Sequence, residues 1–114
     1  MKNITENACK SLLNGKNCKL GGICTNTYSD FGGYGYQNTE IDNGGLYLFG
    51  NCIAKLENNN LYVRIHTNSN TTRERLNGFK YFGYNISVTS KKGIAHINGE
   101  PVQDYYAWHK IEKI

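Results

Sequence analysis

Residues 46–66, LYLFGNCIAKLENNNLYVRIH, decide the fold class of this chain. Apolar residues recur at every second position in three short runs, which turn-forming residues at 50–51 and 57–60 separate. Alternation of this kind, interrupted by tight turns, is typical of antiparallel strands. The sequence therefore predicts three consecutive antiparallel strands between residues 46 and 66.

The third run assigns its side chains to opposite faces of the sheet, because successive residues of a strand point in opposite directions. The residues predicted to face the core are Leu61, Val63 and Ile65. The residues predicted to face outward are Tyr62, Arg64 and His66. His66 is therefore expected to be an exposed sheet residue and not a metal ligand.

The N-terminal residues predict a helix. Apolar residues recur every four positions from Ile4 to Leu12, which indicates one buried helical face, and Asn14-Gly15 is a typical helix end. Asn3 and Glu6 have the spacing of a capping box at the start of this helix.

A second capping box predicts a short helix later in the chain. Thr71 and Glu74 have the required three-residue spacing, and the helix is expected to run through Leu76 and end at Asn77-Gly78. Glu74 is thus interpreted as the capping partner of Thr71 and not as a catalytic acid.

Two more alternating runs, 86–89 and 94–97, surround a Gly-containing hairpin loop, and a last strand is predicted within 108–114. The order of helix, strands, short helix and strands predicts an α+β fold, in which an antiparallel sheet carries an N-terminal helix and a short second helix. No internal repeat or linker is visible, so residues 1–114 are expected to form a single domain.

The stretch 21–45 is the least regular part of the sequence and contains seven glycines. No helical pattern follows it, so we expect a loop or a long hairpin tip and not a phosphate-binding loop. Its aromatic residues are predicted to contact a partner, because tyrosine offers a large contact area at a low cost in side-chain entropy. The alternative is that they fold back over one face of the sheet. These residues are Tyr28, Phe31, Tyr34 and Tyr36.

The formal net charge is +4, and the whole excess lies in the C-terminal half. Residues 58–114 hold eight basic and four acidic residues, whereas residues 1–57 are balanced. This predicts weak attraction to an anionic partner such as nucleic acid, and the alternative is a solvated basic face. The candidate nucleic-acid-binding residues are Arg64, Arg73, Arg75, Lys80, Lys91 and Lys92. The charge balance excludes a DNA mimic, which needs a dense acidic surface.

The four cysteines, Cys9, Cys18, Cys24 and Cys52, are expected to be free thiols. No Cys-x-x-Cys pair occurs and the histidines lie far apart in the sequence, so no metal site is expected. Cys52 and His66 could meet across adjacent strands, but no orienting acid is recognisable. We therefore predict no catalytic residue, no cofactor and no enzymatic activity.

The length of 114 residues and the 39% hydrophobic content indicate a globular protein. No apolar run reaches the roughly 20 residues needed to span a bilayer. The N-terminus shows no apolar secretory segment, so we expect the protein in the cytoplasm of a host cell.

Several of these motifs resemble a family of short, functionally uncharacterised proteins of bacteriophages and mobile elements. The similar segments are the strand pair at 46–54, the Leu61-Tyr62 pair, the helix at 70–77 and the turns at 91–93 and 98–99. The resemblance covers residues 4–20 and 46–114, and it implies an insertion, rich in Gly and Tyr, at about 26–45. It implies the fold and a phage origin but no activity.

Three functions are compatible with these observations. The leading hypothesis is a non-enzymatic phage protein that binds and inhibits a host protein, for instance a component of a CRISPR or other anti-phage defence. The second is a nucleic-acid-binding module that uses the basic C-terminal half with exposed aromatic residues. The third is a sponge that sequesters small nucleotides in an aromatic and basic pocket.

Overall fold

The computed structural model describes the backbone of residues 2–25 and 35–114 and the side chains of residues 2–22 and 37–114. Its helices are α1 (Asn3–Leu13), α2 (Asn70–Asn77) and a 3₁₀ helix (Gly78–Phe82). Its strands are β1 (Cys18–Thr25), β2 (Gly35–Asp42), β3 (Gly45–Leu48), β4 (Asn51–Glu57), β5 (Asn60–Val63), β6 (Val88–Lys91), β7 (Ile94–Ile97), β8 (Glu100–Pro101) and β9 (His109–Ile111). The predicted α+β fold is confirmed.

The strands of the described residues form two antiparallel sheets. The larger sheet has the order β1-β2-β3-β4-β5-β9, and the smaller one has the order β6-β7-β8. The C-terminal strand β9 pairs with β5, so that Leu61 lies opposite Ile111 and Val63 opposite His109. This pairing places the C-terminal strand beside the last of the three strands that the sequence pattern predicted between residues 46 and 66.

The core lies between α1 and one face of the larger sheet. Ala8 and Leu12 of α1 are fully buried, as are Leu46 of β3 and Leu61 of β5. Val63 and Ile65 are buried as well, which confirms the predicted inward set. Burial of these side chains stabilises the fold by about 25 cal/mol for each Å² of apolar surface removed from water.

Each two-residue hairpin among the described residues has both turn residues in the left-handed backbone region. The turns are Asn43-Gly44, Phe49-Gly50, Asn58-Asn59, Lys92-Gly93 and Asn98-Gly99. Two positive φ angles define a type I′ turn, whose twist matches that of the flanking strands. Asn and Gly are the residues that adopt this conformation most readily, so three turns follow the expected chemistry and Phe49 and Lys92 depart from it.

Both predicted capping boxes are wrong, because each helix begins earlier than its box requires. The residue before α1 is Lys2, which makes no side-chain capping bond, and Asn3 already lies in the helix. At α2 the cap is Ser69, whose Oγ accepts a hydrogen bond from the Thr72 backbone N–H at 3.1 Å. Glu74 is therefore free to bind elsewhere.

The irregular stretch, for which the sequence predicts a loop or a long hairpin tip, contains parts of two strands. Strand β1 occupies residues 18–25 and β2 occupies 35–42, and they pair with a register shift between Leu20 and Ile23. Glycines and polar residues in both strands hide the alternation that would have predicted them. Tyr36 lies in β2, where its backbone is opposite that of Cys24 in β1. The other proposed contact residues, Tyr28, Phe31 and Tyr34, lie outside the described residues.

The smaller sheet is attached to the larger unit through side chains. The Asn77 side chain at the end of α2 accepts from the Val88 N–H at 2.7 Å and donates to the Val88 carbonyl at 2.9 Å, as a neighbouring strand would. The Tyr105 hydroxyl accepts a hydrogen bond from the Ala95 N–H of β7 at 3.1 Å. None of the helices in residues 2–25 and 35–114 combines the length and apolar character needed to cross a bilayer.

Candidate functional site

The outer face of the larger sheet, opposite α1, carries aromatic and basic side chains next to one another. Lys55 of β4 lies opposite Tyr62 of β5, and Tyr62 lies opposite Lys110 of β9. Residues that are directly opposite in a sheet project on the same side, so these three side chains form one row across the strands. Lys55 and Tyr62 are half-buried and Lys110 is exposed.

Trp108 is the centre of this face. The Arg64 guanidinium carbon lies 4.3 Å from the centroid of the indole ring, and the Lys55 Nζ atom lies 4.6 Å from it. The same Lys55 Nζ lies 5.5 Å from the centroid of the Tyr62 ring. These distances are those of cation–π contacts, in which the negative face of the ring attracts the cation.

The backbone of β4 holds Arg64 in place. The Nε atom donates to the Cys52 carbonyl oxygen at 2.7 Å, and the Arg64 backbone N–H donates to the Ile53 carbonyl at 2.9 Å. The terminal guanidinium nitrogens have no hydrogen-bond partner among the described residues. Arg64 thus presents a fixed positive charge with donors available to a ligand.

A further aromatic pair follows where the two chain segments leave the sheet. The His66 and Tyr106 rings meet edge to face, with 5.2 Å between centroids and an interplanar angle of 88°. The His66 backbone N–H donates to the Tyr105 carbonyl at 2.8 Å, which continues the contact between these segments. Tyr106 is 61% exposed.

We name this series of side chains the aromatic stripe. It consists of three successive pairs, Tyr62 with Lys110, Arg64 with Trp108 and His66 with Tyr106, together with Lys55. Two exposed carboxylates lie beside it: Glu57 is 3.2 Å from Lys55 Nζ and Glu112 is 3.8 Å from Lys110 Nζ. Such exposed ion pairs are weak, and they leave Arg64 as the cation of the stripe that has no carboxylate partner among the described residues.

A family model described as Kyanoviridae Gp96 protein matches residues 1–112. The chain belongs to this phage protein family. No curated protein and no solved structure shows significant similarity to the chain. The phage origin that the sequence motifs implied is thereby confirmed, and the aromatic stripe is a property of this member of the Kyanoviridae Gp96 family.

The basic residues predicted from the sequence of this Kyanoviridae Gp96 protein are spread over several elements. Arg64 is part of the stripe, whereas Lys91 and Lys92 lie at the exposed β6–β7 turn of the smaller sheet. Lys80 is exposed on the 3₁₀ helix. Arg73 donates hydrogen bonds to the side-chain oxygens of Asn68 and Asn70 on its own segment.

Arg75 is only 4% exposed, which removes it from any contact surface. Its Nε atom donates to Thr39 Oγ1 at 3.1 Å, and one terminal nitrogen donates to Thr5 Oγ1 at 2.9 Å and to the Glu74 carboxylate. Glu74 also accepts a hydrogen bond from Thr5. Arg75 therefore ties α1, α2 and β2 together from the inside.

Cys52 and His66, the thiol and imidazole that could have met across adjacent strands, have separate partners. Cys52 Sγ donates to the Ala54 carbonyl at 3.4 Å, whereas His66 Nδ1 is 3.1 Å from Thr67 Oγ1. Burial raises the pKa of the Cys52 thiol, which favours the unreactive protonated form. Within the part of the chain that the structure describes, no group of three or more His, Cys, Asp or Glu side chains is placed to hold a metal ion.

Cys9 is the most strongly perturbed thiol among the described residues. Burial raises its pKa to about 12, and the nearby Glu74 carboxylate acts in the same direction. Its Sγ atom lies 3.6 Å from the Arg75 carbonyl oxygen, to which it donates. A thiol of this kind is a packing residue, because the nucleophilic thiolate is strongly disfavoured.

The sequence pattern missed most of the stripe. It assigned Tyr62, Arg64 and His66 to one outward face, but Lys55 and Trp108 carried no recognised signal. Trp108 and Lys110 alternate with His109 and the buried Ile111, but this alternation is short, and it becomes informative only when β9 is known to pair with β5.

Proposed function

We propose that this phage protein binds single-stranded nucleic acid along the aromatic stripe, as a binding protein without catalysis. The observation that carries the proposal is the Trp108 indole with two cations, Arg64 and Lys55, within 4.6 Å of its centroid on an open sheet face. Bases stack on aromatic rings, while neighbouring cations attract the phosphates that link the bases.

A single strand fits this geometry better than a duplex. The stripe consists of rings and charges spread over paired strands, and it contains no helix of the described residues that would enter a groove. In a duplex the bases are stacked on one another, so their faces are unavailable to Trp108 and Tyr62. Unpaired bases expose those faces.

The charge supports modest affinity. Arg64 and Lys110 belong to the C-terminal half, which holds the whole positive excess of the chain. Glu57 and Glu112 reduce the field of Lys55 and Lys110, so few phosphates are neutralised. Binding is then expected to combine stacking with a shallow dependence on salt.

Trp108 provides the experiment, because it is the only tryptophan in the chain. Its fluorescence is titrated with single-stranded oligonucleotides and with a duplex of the same length, at low and at physiological salt. We expect the single strands to quench the fluorescence. Their affinity should be higher than that of the duplex, and it should fall at higher salt. Unchanged emission up to about 100 µM oligonucleotide, the weak end of non-specific binding, contradicts the proposal.

We propose as a second candidate that the protein binds and inhibits a host protein in the cytoplasm of the host, plausibly a component of a CRISPR or other defence system. The phage family supports it, as do the exposed side chains of Tyr81 (70%) and Tyr106 (61%), since tyrosine is enriched at interfaces. A pull-down from host lysate with the wild type and with the Tyr34→Ala, Tyr36→Ala double variant tests it. Capture that does not depend on these two residues contradicts the predicted contact.

A further inference from the structure

The β3–β4 hairpin has an aromatic residue where the other hairpins of the described residues have Asn or Lys. Phe49 has a φ of 50° at the first position of its type I′ turn. The corresponding residues of three other turns are Asn43, Asn58 and Asn98. A bulky side chain is disfavoured in the left-handed region because its Cβ atom crowds the following carbonyl. Phe49 therefore needs a reason other than turn formation.

Core packing does not provide that reason, because Phe49 is 39% exposed. Its ring instead borders a cavity of about 190 Å³ at the end of the sheet. The other residues that line this cavity are Leu48, Asn51, Ile53, His66, Thr67, Ser69 and Thr72. Ligand cavities are lined by apolar and aromatic side chains with a few polar groups, and this cavity combines such residues.

His66 borders the same cavity and is also in the left-handed region, with a φ of 58°. It lies outside the strands, and its ring touches Tyr106 of the aromatic stripe. Two aromatic residues in the left-handed backbone region thus line the same cavity. Such conformations persist where the surrounding structure holds them, and they cluster at binding sites.

We propose that this cavity receives one nucleobase of the strand that lies on the aromatic stripe, an inference that rests on the proposed function. His66 belongs to both the stripe and the cavity wall, so a strand passing Trp108 and Tyr106 reaches the cavity next. The volume is below the 300–1,000 Å³ of sites for drug-sized ligands and suits a single flat ring system.

The polar groups of the cavity also suit a base. The exposed Asn51 side chain has no hydrogen-bond partner among the described residues, and a side-chain amide pairs with the donor and acceptor edge of a base. Phe49 and His66 supply ring surfaces on which the base stacks.

The test is the Phe49→Asn variant, which removes the ring and introduces the residue that the other turns use. We expect a melting temperature equal to or above that of the wild type, together with affinity for a single-stranded oligonucleotide reduced about tenfold, within the range of one lost stacking contact. The salt dependence of binding should stay unchanged, because no phosphate contact is removed. Lys92→Asn, which introduces the same residue at the other unusual turn, is the control; because it also removes a charge, any loss of affinity that it shows should come with a reduced salt dependence, unlike the loss expected in Phe49→Asn.

The outcomes separate the two proposals. Wild-type affinity in Phe49→Asn overturns the nucleobase site and leaves binding along the stripe intact, whereas a wild type that binds no oligonucleotide overturns both. If Phe49→Asn does not fold, Phe49→Tyr and Phe49→Leu decide the question, because the first keeps an aromatic ring and the second keeps only apolar volume. Affinity that is retained in Phe49→Tyr and lost in Phe49→Leu supports the nucleobase site. Equal affinity in these two variants contradicts it.

Discussion

The Arg64 guanidinium carbon lies 4.3 Å from the centroid of the Trp108 ring, although 44 residues separate the two in the chain. The Cys52 carbonyl holds Arg64 Nε at 2.7 Å, so the guanidinium plane is oriented before any ligand arrives. An oriented side chain loses little conformational freedom on binding, so we expect Arg64 to contribute more to the proposed nucleic-acid binding than the other cations of the stripe.

Replacing Arg64 by Gln is expected to weaken binding to single-stranded oligonucleotides about tenfold and to reduce the slope of log affinity against log salt by about 1. The reason is the loss of one phosphate contact and of the charge beside Trp108. Lys91→Gln is the control, because it removes an equal charge from the smaller sheet, which is not part of the stripe. Equal losses in the two variants would show that only overall charge matters.

Replacing the buried Arg75 by Met is expected to lower the free energy of unfolding by about 3 kcal/mol, because it removes the partner of Glu74 and of two threonine hydroxyls. Arg73→Met in the same helix should cost less than about 1 kcal/mol, since Arg73 bonds only to side chains of its own segment. Urea denaturation measures both. Similar losses would argue against the buried network.

The Cys9 thiol is expected to resist alkylation in the folded protein, because burial raises its pKa to about 12 and the thiolate is the reactive form. Labelling at pH 8 followed by mass spectrometry should modify Cys9 only after denaturation. The denatured protein without reductant should show four thiols, as the sequence predicts. Rapid modification of Cys9 in the native state would contradict its burial.

The same pKa shift makes folding stability depend on pH at the alkaline end. Cys9 keeps its proton more tightly when folded, so its contribution to stability is complete below the ordinary thiol pKa of 9.0 and is lost as the pH rises from there toward 12. Unfolding curves of wild type and Cys9→Ala should therefore converge between pH 9 and pH 11. A constant difference across this interval would contradict the prediction.

Replacing Lys92 by Asn is expected to raise the free energy of unfolding by about 0.5–1 kcal/mol, because Lys92 has a φ of 53° in a type I′ turn that favours Asn. Thermal melting measures the change. Asn58→Lys, which makes the reverse change at the exposed β4–β5 turn, should lower stability, and a gain in that variant would refute the explanation.

Local sequence patterns were sufficient to predict an element wherever its burial follows a regular spacing along the chain. The alternation of Leu61, Val63 and Ile65 predicted which face of β5 is buried, and the four-residue spacing from Ile4 to Leu12 predicted α1. Strands β1 and β2 escaped prediction because their glycines and polar residues carry little periodic signal. They are strands because the backbone of β2 pairs with the edge of β3, and β1 pairs with β2.

Charge in the sequence did not distinguish a surface residue from a buried one. Arg73 and Arg75 were equivalent candidates for phosphate contact, yet the helical phase of α2 directs Arg75 toward Thr5 and Thr39 in the interior. Glu74 has the spacing of a capping residue, but Ser69 caps the helix and Glu74 binds Arg75. Only the packing of α1 and β2 against α2 decides these roles.

The sequence by itself determined the α+β class, the inward and outward faces of β5 and the position of the positive excess, because these follow from the order and spacing of residues along the chain. The tertiary structure alone decided where Lys55, Arg64 and Trp108 meet and which cations remain available to a partner. The physical reason is the pairing of β9 with β5, which places the end of the chain beside strands formed about 50 residues earlier.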